Sequence, residues 1–176
     1  QAGKNIGIGA AVDTTGNVVL TAGGSIAETD PGKITNAALL STISQTGQTL
    51  NGLNSVKSLA ATNSRTGNIE LTNTRDTLAI KSISQANGNV SVTNTGAIIT
   101  EASGTVKTTN GLISLTATGG DQTINGTVAT GGTGTLSLTA TGADSDVAVN
   151  GAVTSAGGAI TLAADQDVLI NAKVDG

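Results

Sequence analysis

The fold is decided by Gly67-Asn68-Ile69-Glu70-Leu71-Thr72, because the same phrase returns along the chain. It reads Gly88-Asn89-Val90-Ser91-Val92-Thr93, then Gly111-Leu112-Ile113-Ser114-Leu115-Thr116, then Gly134-Thr135-Leu136-Ser137-Leu138-Thr139. A looser copy is Gly158-Ala159-Ile160-Thr161-Leu162-Ala163, and an early one is Gly16-Asn17-Val18-Val19-Leu20-Thr21. From position 67 onward the phrase recurs every 21, 23, 23 and 24 residues. Recurrence at such a period marks an array of stacked units. Within each phrase the apolar residues alternate, which is the period of a half-buried strand.

A second strand phrase falls between the first ones. It includes Val147-Ala148-Val149, Val168-Leu169-Ile170, Leu78-Ala79-Ile80 and Ile124, and Ile6-Gly7-Ile8 is grouped with it. Each unit therefore holds two or three short strands joined by Gly, Asn, Thr and Asp turns. Stacked coils pair each strand in parallel with its counterpart about 4.8 Å along the axis. The expected fold is all-β: a right-handed parallel β-helix, or β-solenoid, of about seven coils of about 21–25 residues, forming a single domain over residues 1–176. Its interior columns are expected to hold Ile69, Leu71, Val90, Val92, Ile113, Leu115, Leu136, Leu138, Ile160 and Leu162. The step from 16 to 67 is 51 residues, longer than two ordinary coils. Residues 29–49 contain the single Pro and no clean strand phrase, so an irregular coil or loop insertion is expected there.

Composition agrees with a narrow, repetitive interior. The chain has no aromatic residue, no Cys, no Met and no His, and its apolar set is Val, Ile, Leu and Ala. A globular core normally recruits aromatic rings to fill irregular space. The net charge of −4 and the scattered Lys and Arg argue against nucleic acid, which requires clustered cations. No stretch reaches the 18 apolar residues of a membrane span. From the lack of Met, the chain is expected to be an internal or processed piece of something longer.

The phrases Gly67-Asn68-Ile69-Glu70-Leu71-Thr72, Asp167-Val168-Leu169-Ile170-Asn171-Ala172 and Leu50-Asn51-Gly52-Leu53-Asn54-Ser55-Val56-Lys57-Ser58-Leu59-Ala60 resemble the repeats of large exported bacterial proteins. These are the filamentous haemagglutinin-like exoproteins and related autotransporter passengers. The resemblance implies a long β-helix outside the cell or on a bacterial surface. It implies roles in adhesion, surface fibres and biofilm matrix. The secretion domain that marks the family is not recognisable here.

Candidate sites are few. Without His or Cys no Ser/His/Asp triad can form, and the chain is not expected to be an enzyme. Asp144, Asp146, Asp165 and Asp167 precede strands at similar offsets, with Asp121 taken as the equivalent of Asp144 and Asp165. Stacking would bring the four to one edge. Their functional reading is a Ca²⁺ site built of hard oxygen ligands, the one cofactor considered. Their bland reading is turn residues that cap their own backbone. Asn125, Asn150 and Asn171 are expected to form a ladder with amides bonded along the axis.

Outward Thr72, Thr93, Thr116 and Thr139, with Ser91, Ser114 and Ser137, form a hydroxyl face. This face, or the loop around residues 29–49, could serve adhesion to a host or glycan, and the face could also order water as an ice-binding solenoid does. Cross-strand Thr pairing alone also accounts for it. The leading reading is a structural rod, filament or adhesin stalk. The partner expected for it is another stretch of the same solenoid at its open ends, with host or matrix glycans or proteins second. A polysaccharide-active enzyme is a further alternative.

Overall fold

The computed structural model describes residues 4–176. It contains strands and no helix among them, so no helix is long and apolar enough to cross a membrane. All the strands pair in parallel, stacked into a β-solenoid of about eight turns.

One face is an eight-stranded sheet. Its strands are Ile6–Ile8, Ile26–Glu28, Gln48–Asn54, Ile69–Asn73, Val90–Asn94, Ile113–Ala117, Leu136–Ala140 and Ile160–Ala164, in that order. The second sheet runs from Asn17–Thr21 through Leu39–Ser44, Ser58–Asn63, Thr77–Gln85 and Ala97–Thr108. Thr77–Gln85 and Ala97–Thr108 each slip register midway, Ile80 pairing with Thr100 and Ser82 with Thr105. Above this bend each strand divides in two. Gln122–Ile124, Val147–Val149 and Val168–Ile170 continue one half, and Thr127–Thr130, Val153–Ser155 and Val174–Asp175 continue the other. A two-stranded sheet, Ala11–Asp13 with Lys33–Thr35, completes the early coils.

Alternation builds the core directly. Ile69, Val90, Ile113 and Leu136 stand in one register column, and Leu71, Val92, Leu115 and Leu138 in the next. All eight are buried. Ile160 and Leu162 extend the same columns but are only half-buried, because they lie on the last rung. The second sheet supplies Leu40, Leu59, Ile80, Thr100, Ile124 and Val149 as a facing column. Most aliphatic side chains rest on a similar one a rung away, a stack of uniform widths in which aromatic rings have no place.

Three expectations need correction. The turns number about eight rather than seven. The reason lies in the early coils, where Gly16–Thr21 belongs to the second sheet and Ile6–Ile8 to the first, the reverse of the expected grouping. With rungs beginning at Ile6, Ile26, Gln48 and Ile69 the long 51-residue step disappears. Residues 29–49 hold a coil rather than an inserted loop: Lys33–Thr35 pairs with Ala11–Asp13 in the two-stranded sheet, and Leu39–Ser44 pairs with its neighbours on either side in the second sheet. The irregularity is smaller and later. Leu50 pairs with Leu71 and Asn54 with Asn73, so the strand bulges over Asn51-Gly52-Leu53.

Polar residues at inward positions had hidden these coils. Gln48 occupies the Ile69 column, where its Oε1 accepts from Thr42 Oγ1 at 2.6 Å and its Nε2 donates to Thr62 O at 2.8 Å. Gln122 stands in the Ile98–Val147 column, fully buried, with Nε2 reaching Leu115 O at 3.3 Å and Oε1 unpartnered.

Candidate functional site

Two buried polar columns stand in the interior, each over part of its length. The first is Asn54, Asn73 and Asn94, in register and fully buried. Asn73 Nδ2 donates to Asn94 Oδ1 at 3.0 Å and to Val56 O at 3.1 Å, while its Oδ1 accepts from Val56 N at 2.8 Å. Asn94 repeats this one rung up, accepting from Arg75 N and donating to Arg75 O and Ala97 O. The same position holds Ala117, Ala140 and Ala164 in later coils. Sequence reasoning passed over this ladder, although Leu71-Thr72-Asn73 against Leu138-Thr139-Ala140 carries its trace.

The second column is Ser44, Asn63, Gln85, Thr108, Thr130 and Ser155. It lies at the corner before the glycine that opens each phrase. Thr108 Oγ1 donates to Gly88 O at 3.0 Å, Thr130 Oγ1 to Gly111 O at 2.9 Å and Ser155 Oγ to Gly134 O at 2.8 Å. Gln85 Nε2 does the same for Gly67 O. Each corner carbonyl that the ladder leaves over is thereby satisfied, as buried backbone requires.

The expected ladder of Asn125, Asn150 and Asn171 is present, on the exposed edge rather than inside the turns. Asn150 Nδ2 donates to Asn125 Oδ1 at 3.1 Å, and Asn171 Nδ2 to Asn150 Oδ1 at 2.9 Å. The acidic edge is organised differently from the expectation. Gln122 pairs with Val147 and Val147 with Val168, so Asp121 is equivalent to Asp146 and Asp167, not to Asp144 and Asp165. Asp121 Oδ1 accepts from Asp146 N at 3.0 Å, and Asp146 Oδ1 from Asp167 N at 2.9 Å. Asp165 Oδ2 accepts from Gly142 N at 2.7 Å, and Asp144 takes a positive φ of 62° in that turn. Three of the four proposed Ca²⁺ ligands thus join cross-coil backbone bonds, Asp167 through its amide. No three acidic residues among the described ones group as metal ligands.

On the outer face of the first sheet, Thr72, Thr93, Thr116 and Thr139 align and are half-buried. The hydroxyls beside them, Ser91, Ser114 and Ser137, align with Glu70 below and Thr161 above. Thr74 differs: its hydroxyl donates to Asn54 O at 2.8 Å and so serves the stack.

The 51–53 bulge closes over Glu28. By register Glu28 succeeds Ile8 in a column that is otherwise aliphatic. Its Oε2 accepts from Gly52 N at 2.8 Å and Asn54 Nδ2 at 3.0 Å, while Oε1 is buried and unpartnered. A cleft of about 270 Å³ lies beside it, lined by Glu28, Thr29, Asp30, Gly32, Asn51 and Gly52. Burial pushes the Glu28 carboxyl above the usual glutamate range, and the bonds from Asn54 and Gly52 oppose that rise only in part.

The sign of the pH effect follows. A carboxyl whose folded pKa is raised penalises the ionised native state, so stability falls as pH rises past the unfolded value. Exposed Asp13 is shifted down by bonds from Asn36 and Thr35, and its contribution is instead lost at lower pH. Glu28→Gln is expected to remove part of the decline in melting temperature between about pH 4 and pH 7. Parallel melts of the two proteins followed by circular dichroism check this, and superimposable pH profiles would contradict it.

Comparison with protein-family models, curated proteins and solved structures found no match to this chain.

Proposed function

We propose that the chain is a section of an extracellular bacterial exoprotein of the filamentous haemagglutinin-like kind, and that its work is mechanical. The observation that carries this reading is the continuous parallel pairing of the first sheet through eight strands, with a single bulge over residues 51–53. Each rung is held to the next by backbone bonds along the axis, by stacked aliphatic columns and by the buried polar columns. Such a body resists bending at every point of its length, because no hinge interrupts the ladder. The hydrogen-bonded Asp and Asn side chains at its edges are read as further axial ties. The exposed apolar residues Val168 and Ile170 on the last rung continue core columns and suit another coil laid over them.

Two measurements test the reading together. Electron microscopy of the purified chain should show straight particles about 35–40 Å long, or fibres built from them with axial spacing near 4.8 Å. Protease treatment of intact producing cells should release the chain. Flexible or rounded particles would refute the rod, and recovery only after cell lysis would refute the extracellular placement.

A further inference from the structure

The chain contains five Asn-Gly pairs, at 51–52, 87–88, 110–111, 125–126 and 150–151. The structure divides them into two groups. At three of them both reacting groups are restrained. Gly52 N donates to Glu28 Oε2 and Asn51 Nδ2 to Glu70 Oε2. Gly126 N donates to Thr100 Oγ1 and Gly151 N to Ile124 O, while Asn125 and Asn150 are joined through their amides. At Asn87-Gly88 and Asn110-Gly111 both side chains are exposed, and neither they nor the glycine N–H groups have a hydrogen-bond partner among the described residues.

We propose that Asn87 and Asn110 are sites of spontaneous deamidation in the folded protein, with water as the co-reactant. The amide nitrogen of Gly88, having lost its proton to hydroxide, attacks Asn87 Cγ. A C–N bond forms, the side-chain nitrogen leaves as ammonia, and a succinimide results. Water then opens the ring at either carbonyl and gives aspartate or its β-linked isomer. Asn110 reacts in the same way through Gly111. Asparagine is among the thermolabile residues, and a glycine after it leaves the attacking nitrogen unshielded. In the other three pairs a hydrogen bond must break on each side before attack, so the reaction waits on local opening.

The two sites also share a corner. Val90 pairs with Ile113, which places Gly88 beneath Gly111, so deamidation sets new carboxylates on adjacent rungs. Like charges so placed repel. The expected course is a slow gain of negative charge along one edge, ordered by structure rather than by sequence.

Incubation of the folded protein in mildly alkaline buffer, followed by peptide mapping in a mass spectrometer, tests this. Conversion at Asn87 and Asn110 is expected to run at least about tenfold faster than at Asn51, Asn125 and Asn150. The double variant Thr100→Val/Asn150→Ala, shown folded by circular dichroism, frees both groups at Asn125-Gly126 and should bring Asn125 into the fast class. A single common rate for all five pairs in the folded protein would overturn the proposal. So would intact amides at 87 and 110 after the guanidinium-unfolded chain has converted.

Discussion

Asn94→Ala is expected to lower the stability of the solenoid by about 3–5 kcal/mol, the largest loss from any single side-chain truncation in the first sheet. Asn94 Oδ1 accepts from Asn73 Nδ2 and from Arg75 N, and Asn94 Nδ2 donates to Arg75 O and Ala97 O. Alanine removes all four bonds and leaves their partners facing a buried position. Each orphaned buried group costs about 1–3 kcal/mol, and not all four costs are realised because the turn relaxes. Alanine is native at the equivalent Ala117 and Ala140, but the turns beside them are built differently. There residues 118–121 and 141–146 separate the alanine from the next strand, against residues 95–96 alone after Asn94. Urea unfolding followed by far-ultraviolet circular dichroism reads the change; fluorescence is no help in a chain without aromatic residues. A loss below about 0.5 kcal/mol would show that the ladder is ornamental.

Gly88→Ala is expected to cost about 3 kcal/mol or more, for a different reason. Gly88 has a φ of +133°, which side chains with a Cβ rarely adopt. A Cβ there would lie 2.2 Å from Gly67 O and 2.9 Å from Gly67 C, and both are backbone atoms of the coil below. Neither can move without breaking the register of Val90 on Ile69. Gly111, Gly134 and Gly158 face the same obstacle, with distances of 2.3, 2.4 and 2.0 Å to the glycine carbonyl beneath each. The glycine that opens each phrase from Gly67 onward is thus needed for the closeness of two backbones at the corner. Gly7→Ala is the matched control, since nothing lies within 4 Å of a Cβ at that position. Thermal melts of the two variants should separate them widely, and equal melting temperatures would refute the steric account.

The sequence displayed the later coils plainly because their inward positions are nearly all aliphatic. It concealed the early ones because Glu28, Thr42 and Gln48 replace aliphatic residues there, and because alternation looks the same on either sheet. Nothing local distinguishes Gly16–Thr21 from Gly67–Thr72; only the pairing partner does. The acidic edge was misaligned for a related reason. Gln122 is an inward strand residue, so taking Ile124 as the start displaced the count by two and matched Asp121 to the wrong neighbours. The Asn54–Asn73–Asn94 ladder escaped notice because an asparagine after a strand reads as a turn former. Its burial comes from the stack above and below, which no single coil reveals.

The switch from Asn94 to Ala117 in one column divides the solenoid into two dialects of the same repeat. A rung needs only to match the rungs that touch it, so a coil's length of coding sequence can be duplicated or lost in frame wherever neighbours share a dialect. At the junction between Asn94 and Ala117 the two grammars meet, and a copied coil must carry the residue that its new neighbour expects. The architecture thus allows length to change by whole coils, provided that each corner still accepts its neighbour.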